Sequence, residues 1–473
     1  MPIISYKKTS NETTAILGKF ISKYENSKRP IPVSFRHLVS SLPNANRATH
    51  LVHPYPAKLL MHIPHFFLAN NLLSQPGDIV LDPFCGSGTV LLESMLAGRN
   101  AIGCDTNPLA RLIAKVKTSQ LDTLKLRQSI NRLFRRIPNE PSLSPPDVVN
   151  LNYWFYPHVI KQLLRLAEAI NSTRDVWSKA FFQVCFSVCV RKVSLADPRL
   201  SVPVRLRYSQ YSADHWLHEK TNRHLNNLEN VNVLQQFIKI VEENYRRVST
   251  LNEMLPNGVK TRIIHSDART LFHDSIENGT GGRRFKAGSI DMIITSPPYV
   301  GAQKYIRASS LSLGWLGLCE ANSLRELEDK TLGREFYPKS LYHERLSTGI
   351  QQADRLLKEL HEVNPLRSHI AGTYLLEMQD AIEEMGRVLK EKGYLVLVVA
   401  NNHICGREFK TQEWLTIIAK KFGFTLILKL IDSIRSRGLM TKRNKTASLI
   451  TREWVLVFRK DHNVYRRIQG NAN

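Results

Sequence analysis

Apolar residues along this chain recur with two periods. Between residues 77 and 118, the run Ile79-Val80-Leu81-Asp82 is short and apolar, and G-T-V-L-L-E-S-M-L-A-G (88–98) follows it at helical spacing, closed by glycine. N-A-I-G-C-D (100–105) repeats the strand pattern and N-P-L-A-R-L-I-A-K-V-K-T (107–118) the helical one, which predicts a β-α-β-α unit with parallel strands. Strand-like runs return only at 261–268, 289–299, 393–401, 424–432 and 453–460. The intervening residues read as helix at 155–170, 175–193 and 231–251, with the Pro-rich loop P-N-E-P-S-L-S-P-P-D at 138–147. Three parts follow: 1–118 and 259–473 as the two halves of one α/β core, and 119–258 as a helical insertion forming a separate lobe. A second stretch, 302–370, reads as irregular, in the manner of a lid, before the helix T-Y-L-L-E-M-Q-D-A-I-E-E-M-G-R-V-L-K-E-K-G (373–393). No internal repeat or low-complexity tract is present.

Charge narrows the partner. Over 473 residues, Lys plus Arg number 66 against 41 Asp plus Glu, a net +25, while 42% of residues are hydrophobic. A folded protein with a strongly basic surface points to a polyanion, with nucleic acid first, since Lys and Arg gain by displacing counterions from phosphates. No apolar run reaches the roughly 18 to 20 residues that span a bilayer, and the opening M-P-I-I-S-Y-K-K lacks the apolar core of a signal peptide. Neither a membrane partner nor export is expected, and the location expected is cytoplasmic. The six cysteines are scattered, without a Cys-x-x-Cys pair, so they read as reduced thiols with no structural metal.

Two motifs carry chemistry. Asp82-Pro83-Phe84-Cys85-Gly86-Ser87-Gly88-Thr89 stands where a strand ends and a helix begins, and Asp105 follows 23 positions after Asp82 at the next strand end. Gly86 and Gly88 let backbone turn tightly and approach a ligand, and a carboxylate at the second strand tip can accept both ribose hydroxyls. A dinucleotide fingerprint is not complete, because Leu91 stands where its third glycine would fall. Ser296-Pro297-Pro298-Tyr299 ends the apolar run D-M-I-I-T, and its prolines stop the strand and stiffen the turn. An exocyclic base amine is a poor nucleophile, so it needs acceptors for its N–H groups. Ser296 Oγ and the Pro297 carbonyl suit that task, and Tyr299 offers a face for an unstacked base.

With these residues the chain resembles the amino-methylating DNA methyltransferases that use S-adenosyl-L-methionine, with D-P-F-C-G-S-G-T as the cofactor loop and S-P-P-Y as the catalytic motif. His53-Pro54-Tyr55-Pro56-Ala57-Lys58 is similar to the H-P-x-x-x-K element that closes over the methionine end of the cofactor. The strand G-Y-L-V-L-V-V-A-N and the closing pair R-x-x-x-L-x-x-x-R-N (435–444) and E-W-V-L-V-F also resemble the family. The resemblance implies an α/β, Rossmann-like class I fold with a mostly parallel seven-stranded sheet plus the inserted helical lobe as target-recognition unit. It implies cofactor contacts from His53, Lys58, Asp82, Phe84, Gly86, Gly88, Thr89, Asp105 and Asp267, the last toward the adenine amino group, and catalysis by Ser296, Pro297, Pro298 and Tyr299. Serine in first place goes mainly with cytosine N4 as acceptor, and aspartate or asparagine with adenine N6. The expected reaction is therefore methyl transfer to cytosine N4 in double-stranded DNA with the target base flipped out, within a restriction-modification or related defence system and beside a cognate restriction nuclease. Adenine N6, and more remotely an RNA base amine, are the alternative acceptors. Methylation at C5 lacks the thiolate it needs, since no Pro-Cys dipeptide occurs. The basic, aromatic stretch 198–224 in the insertion has the composition of a phosphate- and base-contacting segment. Nothing in the sequence sets an oligomeric state or a recognition sequence.

Overall fold

The computed structural model describes residues 2–40, 42, 47–56, 58–265, 267–271, 285–301, 304–434 and 450–461. The first third runs α1 (Pro2–Ser27), β1 (Ile31–Val33), α2 (Phe35–Leu38), α3 (His62–Leu68), β2 (Ile79–Asp82), α4 (Thr89–Leu96), β3 (Asn100–Cys104) and α5 (Pro108–Lys117). Residues 119–258 then carry α6 (Thr123–Arg135), α7 (Leu151–Trp154), α8 (Pro157–Asn171), α9 (Val176–Lys192), α10 (His218–Glu229) and α11 (Val233–Met254). The chain returns to the sheet through β4 (Thr261–Ile264) and β5 (Ile290–Thr295), then forms α12 (Tyr305–Trp315), α13 (Leu324–Asp329), α14 (Gln351–Val363) and α15 (Pro365–Val388). It ends with β6 (Leu389–Val399), the hairpin β7 (Asn402–Ile404) and β8 (Arg407–Phe409), α16 (Thr411–Lys421), β9 (Phe424–Ser433) and β10 (Arg452–Lys460).

The main sheet has the order β1-β9-β10-β6-β5-β2-β3-β4. All neighbours are parallel except β10, which runs antiparallel to both β6 and β9. Eight strands therefore replace the seven expected: the extra one is β1, three residues with a proline in the middle, too short to give a period. Strands in the centre are buried on both faces, which is why they read as continuous apolar runs. On β5, Met292 and Ile294 enter one core with Val396, Val398, Val455 and Val457, beneath α1 and α3. Ile293 points the other way, into the core built with α14, α15 and α16. The result is helices over both faces of a sheet whose strand tips stay open.

Local signals set the helix starts. Asn107 accepts the Leu109 N–H ahead of Pro108, Asp122 caps α6 through Lys125 N–H, and Asp175 caps α9 through Ser178 N–H. Each such cap satisfies a backbone donor left over at a helix start. The stretch 302–370 differs from its reading as irregular, because burial folds α12, α13 and α14 out of a sequence diluted by serine, glycine and mixed charge. The helices of 119–258 do not bury their apolar faces among themselves alone. Their core also takes in Leu109, Ile113 and Val116 of α5 and Ile306, Leu311 and Trp315 of α12. Among the described residues no helix is long and apolar enough to cross a membrane.

Candidate active site

Strand tips β2, β3 and β5 meet at a cleft of about 890 Å³ of non-atom space, open mouth included. Its wall is made by Lys58, Asp82, Phe84, Gly86, Ser87, Thr89, Asp105, Asp267, Ser296 and Pro298, together with Tyr55, Asn107, Tyr305 and Leu332. The two sequence motifs, more than 200 positions apart, are joined at their roots: Thr295 Oγ1 donates to Asp82 Oδ1 at 2.6 Å, and Asp82 also accepts the Phe84 N–H at 3.2 Å. Burial lifts the Asp82 carboxyl to about 7, against the lowering effect of those two hydrogen bonds.

The loop after β2 turns through Gly86 at φ +47° and Gly88 at φ +79°, both left-handed and strained for any residue with a Cβ. Asp105 shapes the loop from the neighbouring strand tip: one oxygen accepts Gly86 N–H at 2.9 Å and the other Asn107 N–H at 2.8 Å. Burial raises its carboxyl, and the two N–H donors oppose the rise. Gly86 lies on the cleft wall, while Gly88 does not. A Cβ on Gly88 would stand 3.1 Å from Ala114 Cβ and 3.2 Å from Ala114 Cα, so its role is to let α4 pass α5. Leu91, at the place of the missing third glycine, packs instead over Gly103 of β3, where an added Cβ would fall 2.5 Å from it.

Asp267 reaches the wall with its carboxylate forked by Arg269, at 2.9 and 2.5 Å, and Arg269 continues to Glu377 at 2.7 Å. Lys58 also lines the cleft, its amine donating to the carbonyls of His53 and, at 3.2 Å, His50; burial and nearby Arg247 bring it down to about 8. His53 lies off the wall. It is buried with Nε2 2.9 Å from Ser187 Oγ, which bonds on to Ser312 Oγ at 2.8 Å, and burial with the charges of Lys58 and Lys117 drives it down to about 3. It therefore ties the segment to α9 and α12. Pro297 is buried behind the wall. Tyr299 likewise is turned to the sheet, donating its phenol O–H to Glu453 Oε1 of β10 at 3.0 Å.

Several residues carried no sequence signal. Glu93 of α4 is fully buried and gathers Arg47 at 2.7 Å, His50 at 2.7 Å and His65 at 2.9 Å. Burial alone would raise its carboxyl, but Arg47 and the two histidine hydrogen bonds hold it well below the usual range. This latch fixes the segment preceding Lys58 to the helix that follows the glycine loop. Tyr55 Oη accepts from Asn107 Nδ2 at 3.1 Å, which sets the tyrosine ring beside Gly86. Asn107 stands at the start of the helix that the sequence predicts, but its bond to Tyr55 carried no sequence signal. The R-x-x-x-L-x-x-x-R-N segment lies outside the described residues. Among the described residues no group of three or more His, Cys, Asp or Glu is placed to hold a metal ion.

Beside this cleft, and sharing Ile306 with it, lies a larger hollow of about 1820 Å³, its mouth again included, between α7, α12 and α13. Tyr153, Trp154, Phe336, Arg307, Arg325 and Arg367 are on its wall, with Arg205 stacked over Tyr153 at 4.6 Å and Arg325 over Phe336 at 3.9 Å. In the neighbouring stretch 198–224, Arg199 is spent on Asp197 and Tyr211 at 2.6 and 2.9 Å, while Arg207 and Trp216 are exposed.

The model of the N6/N4 DNA methylase family matches residues 12–115. The chain is 25% identical over 429 residues to the type II methyltransferase M.MvaI of Kocuria varians, covering 85% of this chain and 88% of that protein. It is 24% identical over 432 residues to the type II methyltransferase M.BsoBI of Geobacillus stearothermophilus, with 82% and 81% covered. Among solved structures, a SAM-dependent methyltransferase from Methanosarcina mazei aligns with 82% of this chain and 95% of its own at 11% identity and a TM-score of 0.29.

Proposed function

Because the chain belongs to the amino DNA methyltransferases of the N4/N6 family, we propose that it transfers a methyl group from S-adenosyl-L-methionine to the exocyclic N4 of cytosine in double-stranded DNA. The observation that carries this reading is the meeting of Ser296 with the glycine loop and Asp105 on one wall. A neutral hydroxyl at the acceptor position accepts from a cytosine amine and keeps a hydrogen to donate elsewhere, whereas an ionised carboxylate only accepts.

The cleft fits the cofactor in its own terms. Gly86 presents bare backbone, Asp105 and Asp267 place carboxylates at two strand ends, and Phe84 and Tyr55 give aromatic walls. When bound, the cofactor supplies a methyl group activated by its sulfonium. The protein's part is alignment. Ser296 Oγ and the Pro297 carbonyl accept the amine's N–H groups and favour the pyramidal nitrogen that attacks, an interaction that strengthens toward the transition state. Tyr299, pinned through Glu453 to β10, holds the turn beside the extruded base rigid. Duplex DNA lies along the adjoining hollow, whose arginines meet phosphates and whose aromatics meet bases, and the helical part 119–258 supplies target recognition. A cognate restriction nuclease and action inside the cytoplasm belong to the same reading.

Nucleoside mass spectrometry of DNA incubated with protein and cofactor tests it. N4-methylcytosine is the expected product, and S296A should lower the single-turnover rate by about 10²-fold, the scale of one lost transition-state hydrogen bond. N6-methyladenine without N4-methylcytosine would refute the acceptor assignment.

A further inference from the structure

Trp216, just before α10, is 73% exposed, and no Phe, Tyr or Trp among the described residues is more so. It ends a column of stacked groups. His215 lies against Tyr211 with ring centroids 4.6 Å apart and planes 19° from parallel, and against Trp216 at 6.1 Å and 24°. Tyr211 in turn has the Arg199 guanidinium over its ring at 5.6 Å and on its hydroxyl at 2.9 Å. The turn that carries the column is braced at several points. His215 Nδ1 accepts the Leu217 N–H at 3.1 Å, His218 Nδ1 donates to the Tyr211 carbonyl at 2.9 Å, and Tyr208 donates to Glu229 of α10 at 2.6 Å. An indole, whose area burial would favour, is held out in water on a fixed support.

The column stands on the rim of the hollow beside the catalytic cleft. Tyr153 and Trp154 of α7 are on the hollow's wall, and Leu195 N–H donates to the Trp154 carbonyl at 2.8 Å. Residues 195–206 then double back on themselves, Asp197 N–H bonding the Val204 carbonyl at 2.8 Å and Leu206 N–H the Leu195 carbonyl at 2.9 Å. Arg205, on the return, covers Tyr153, and Arg199, at the bend, grips Tyr211. From 205 to 223 the chain carries Arg205, Arg207, Lys220 and Arg223 against Asp214 and Glu219, with Arg207, Lys220 and Arg223 exposed. Cations alone draw phosphates, and an indole adds nothing to that attraction. A flat apolar ring among cations fits a ligand that is anionic at its edge and aromatic within, which describes a nucleic-acid duplex in section.

We propose that Trp216 is a wedge: its ring enters the base stack of the duplex that lies along the hollow, parting one base step and bending the DNA. Arg207, Lys220 and Arg223 hold phosphates beside that step, and the column beneath the indole keeps it from folding away as it is pushed in. This deepens the DNA reading above and rests on it. It gives the helical part 119–258 a contact that reads how easily a sequence deforms rather than its base edges, since pyrimidine–purine steps open most easily.

Stacking and charge leave different traces in salt. Counterion release makes log affinity fall linearly with log salt at a slope set by the phosphates engaged, whereas a stacked ring shifts that line without tilting it. The probe is a fluorescein-labelled duplex containing a sequence that the protein is mapped to methylate. W216A should bind it about 10- to 100-fold more weakly at every salt concentration, the loss expected for one stacked base, with the wild-type slope. W216F should recover most of that loss, and R207A should instead make the slope shallower by about one. Emission from Trp216, read as the difference between wild type and W216F because the chain has six tryptophans, should be quenched by the duplex. W216A affinity within twofold of wild type, a W216A slope as shallow as that of R207A, or Trp216 emission untouched by bound duplex would each overturn the wedge. Urea unfolding and S-adenosylhomocysteine affinity should match wild type in all three variants, and should W216A fail to fold, the emission difference, which needs only W216F, decides. If wild-type protein binds no duplex and methylates none, the function proposed above fails; if it does both and W216A is indistinguishable from it, the wedge alone falls.

Discussion

Gly86 and Gly88 are two residues apart in one loop, yet the structure gives them different work, and substituting alanine at each should separate stability from binding. Both have left-handed φ, so either substitution carries strain of about 1–2 kcal/mol, offset by about 0.4–1 kcal/mol because alanine narrows the unfolded ensemble. At Gly88 the new methyl also meets Ala114 at 3.1 and 3.2 Å, closer than ordinary contact. Forcing α4 and α5 apart adds about 1–3 kcal/mol, for a total loss of about 1–5 kcal/mol, against the ~5–15 typical of a domain. At Gly86 the nearest atom is a Tyr55 ring carbon at 3.7 Å, so packing is undisturbed and the methyl instead occupies the cleft wall. Urea unfolding and calorimetric titration with S-adenosylhomocysteine read the two effects. G88A should unfold at clearly lower urea while keeping most of its affinity, and G86A should show the reverse. Equal unfolding free energies for the two variants, or full affinity in G86A, would refute this division of labour.

The Tyr299 phenol is a structural anchor as well as part of the catalytic motif, so Y299F should lose about 1–3 kcal/mol of stability through the abandoned Glu453 carboxyl, while keeping its ring and most of its single-turnover rate; a rate loss as large as that of S296A would refute the anchor. The Asp82 carboxyl, raised from 3.8 to about 7 by burial, makes the native state hold a proton between pH 4 and 7 that the unfolded chain releases, so its contribution weakens as pH rises through that window. D82N, which keeps an acceptor for Thr295, should gain stability relative to wild type between pH 5 and 8 by urea titration, and a constant difference would refute the assignment.

Much of the sheet was legible because its central strands are buried on both faces and must be apolar throughout: β2, β3, β5, β6, β9 and β10 all appear as runs that few surface segments imitate. β1 escaped because three residues carry no period, and its place is set by a partner strand near the other end of the chain. α12 to α14 escaped for the opposite reason, since tertiary burial overrides the weak propensity of Y-I-R-A-S-S-L-S-L-G-W. At the site, motif spacing located the loop and the catalytic strand tip but not the direction of each side chain. Lys58 and Ser296 reach the cleft while their motif companions His53 and Tyr299 turn inward to Ser187 and Glu453. Glu93 and Lys117 were invisible because a charged residue inside an amphipathic helix reads as solvent-facing until the partners that bury it are known.

The parallel pairing of Ile31–Val33 with Leu430–Asp432 joins two segments some four hundred residues apart. During synthesis, the ribosome therefore releases an amino-terminal segment whose seat in the sheet does not yet exist, and α1, which lies against β9, must wait with it. A nascent or truncated chain lacking β9 leaves the underside of the sheet uncovered and an edge open to wrong partners. The closure ties the order of synthesis to the order of assembly: the sheet that carries the cleft becomes whole only once β9 has been made.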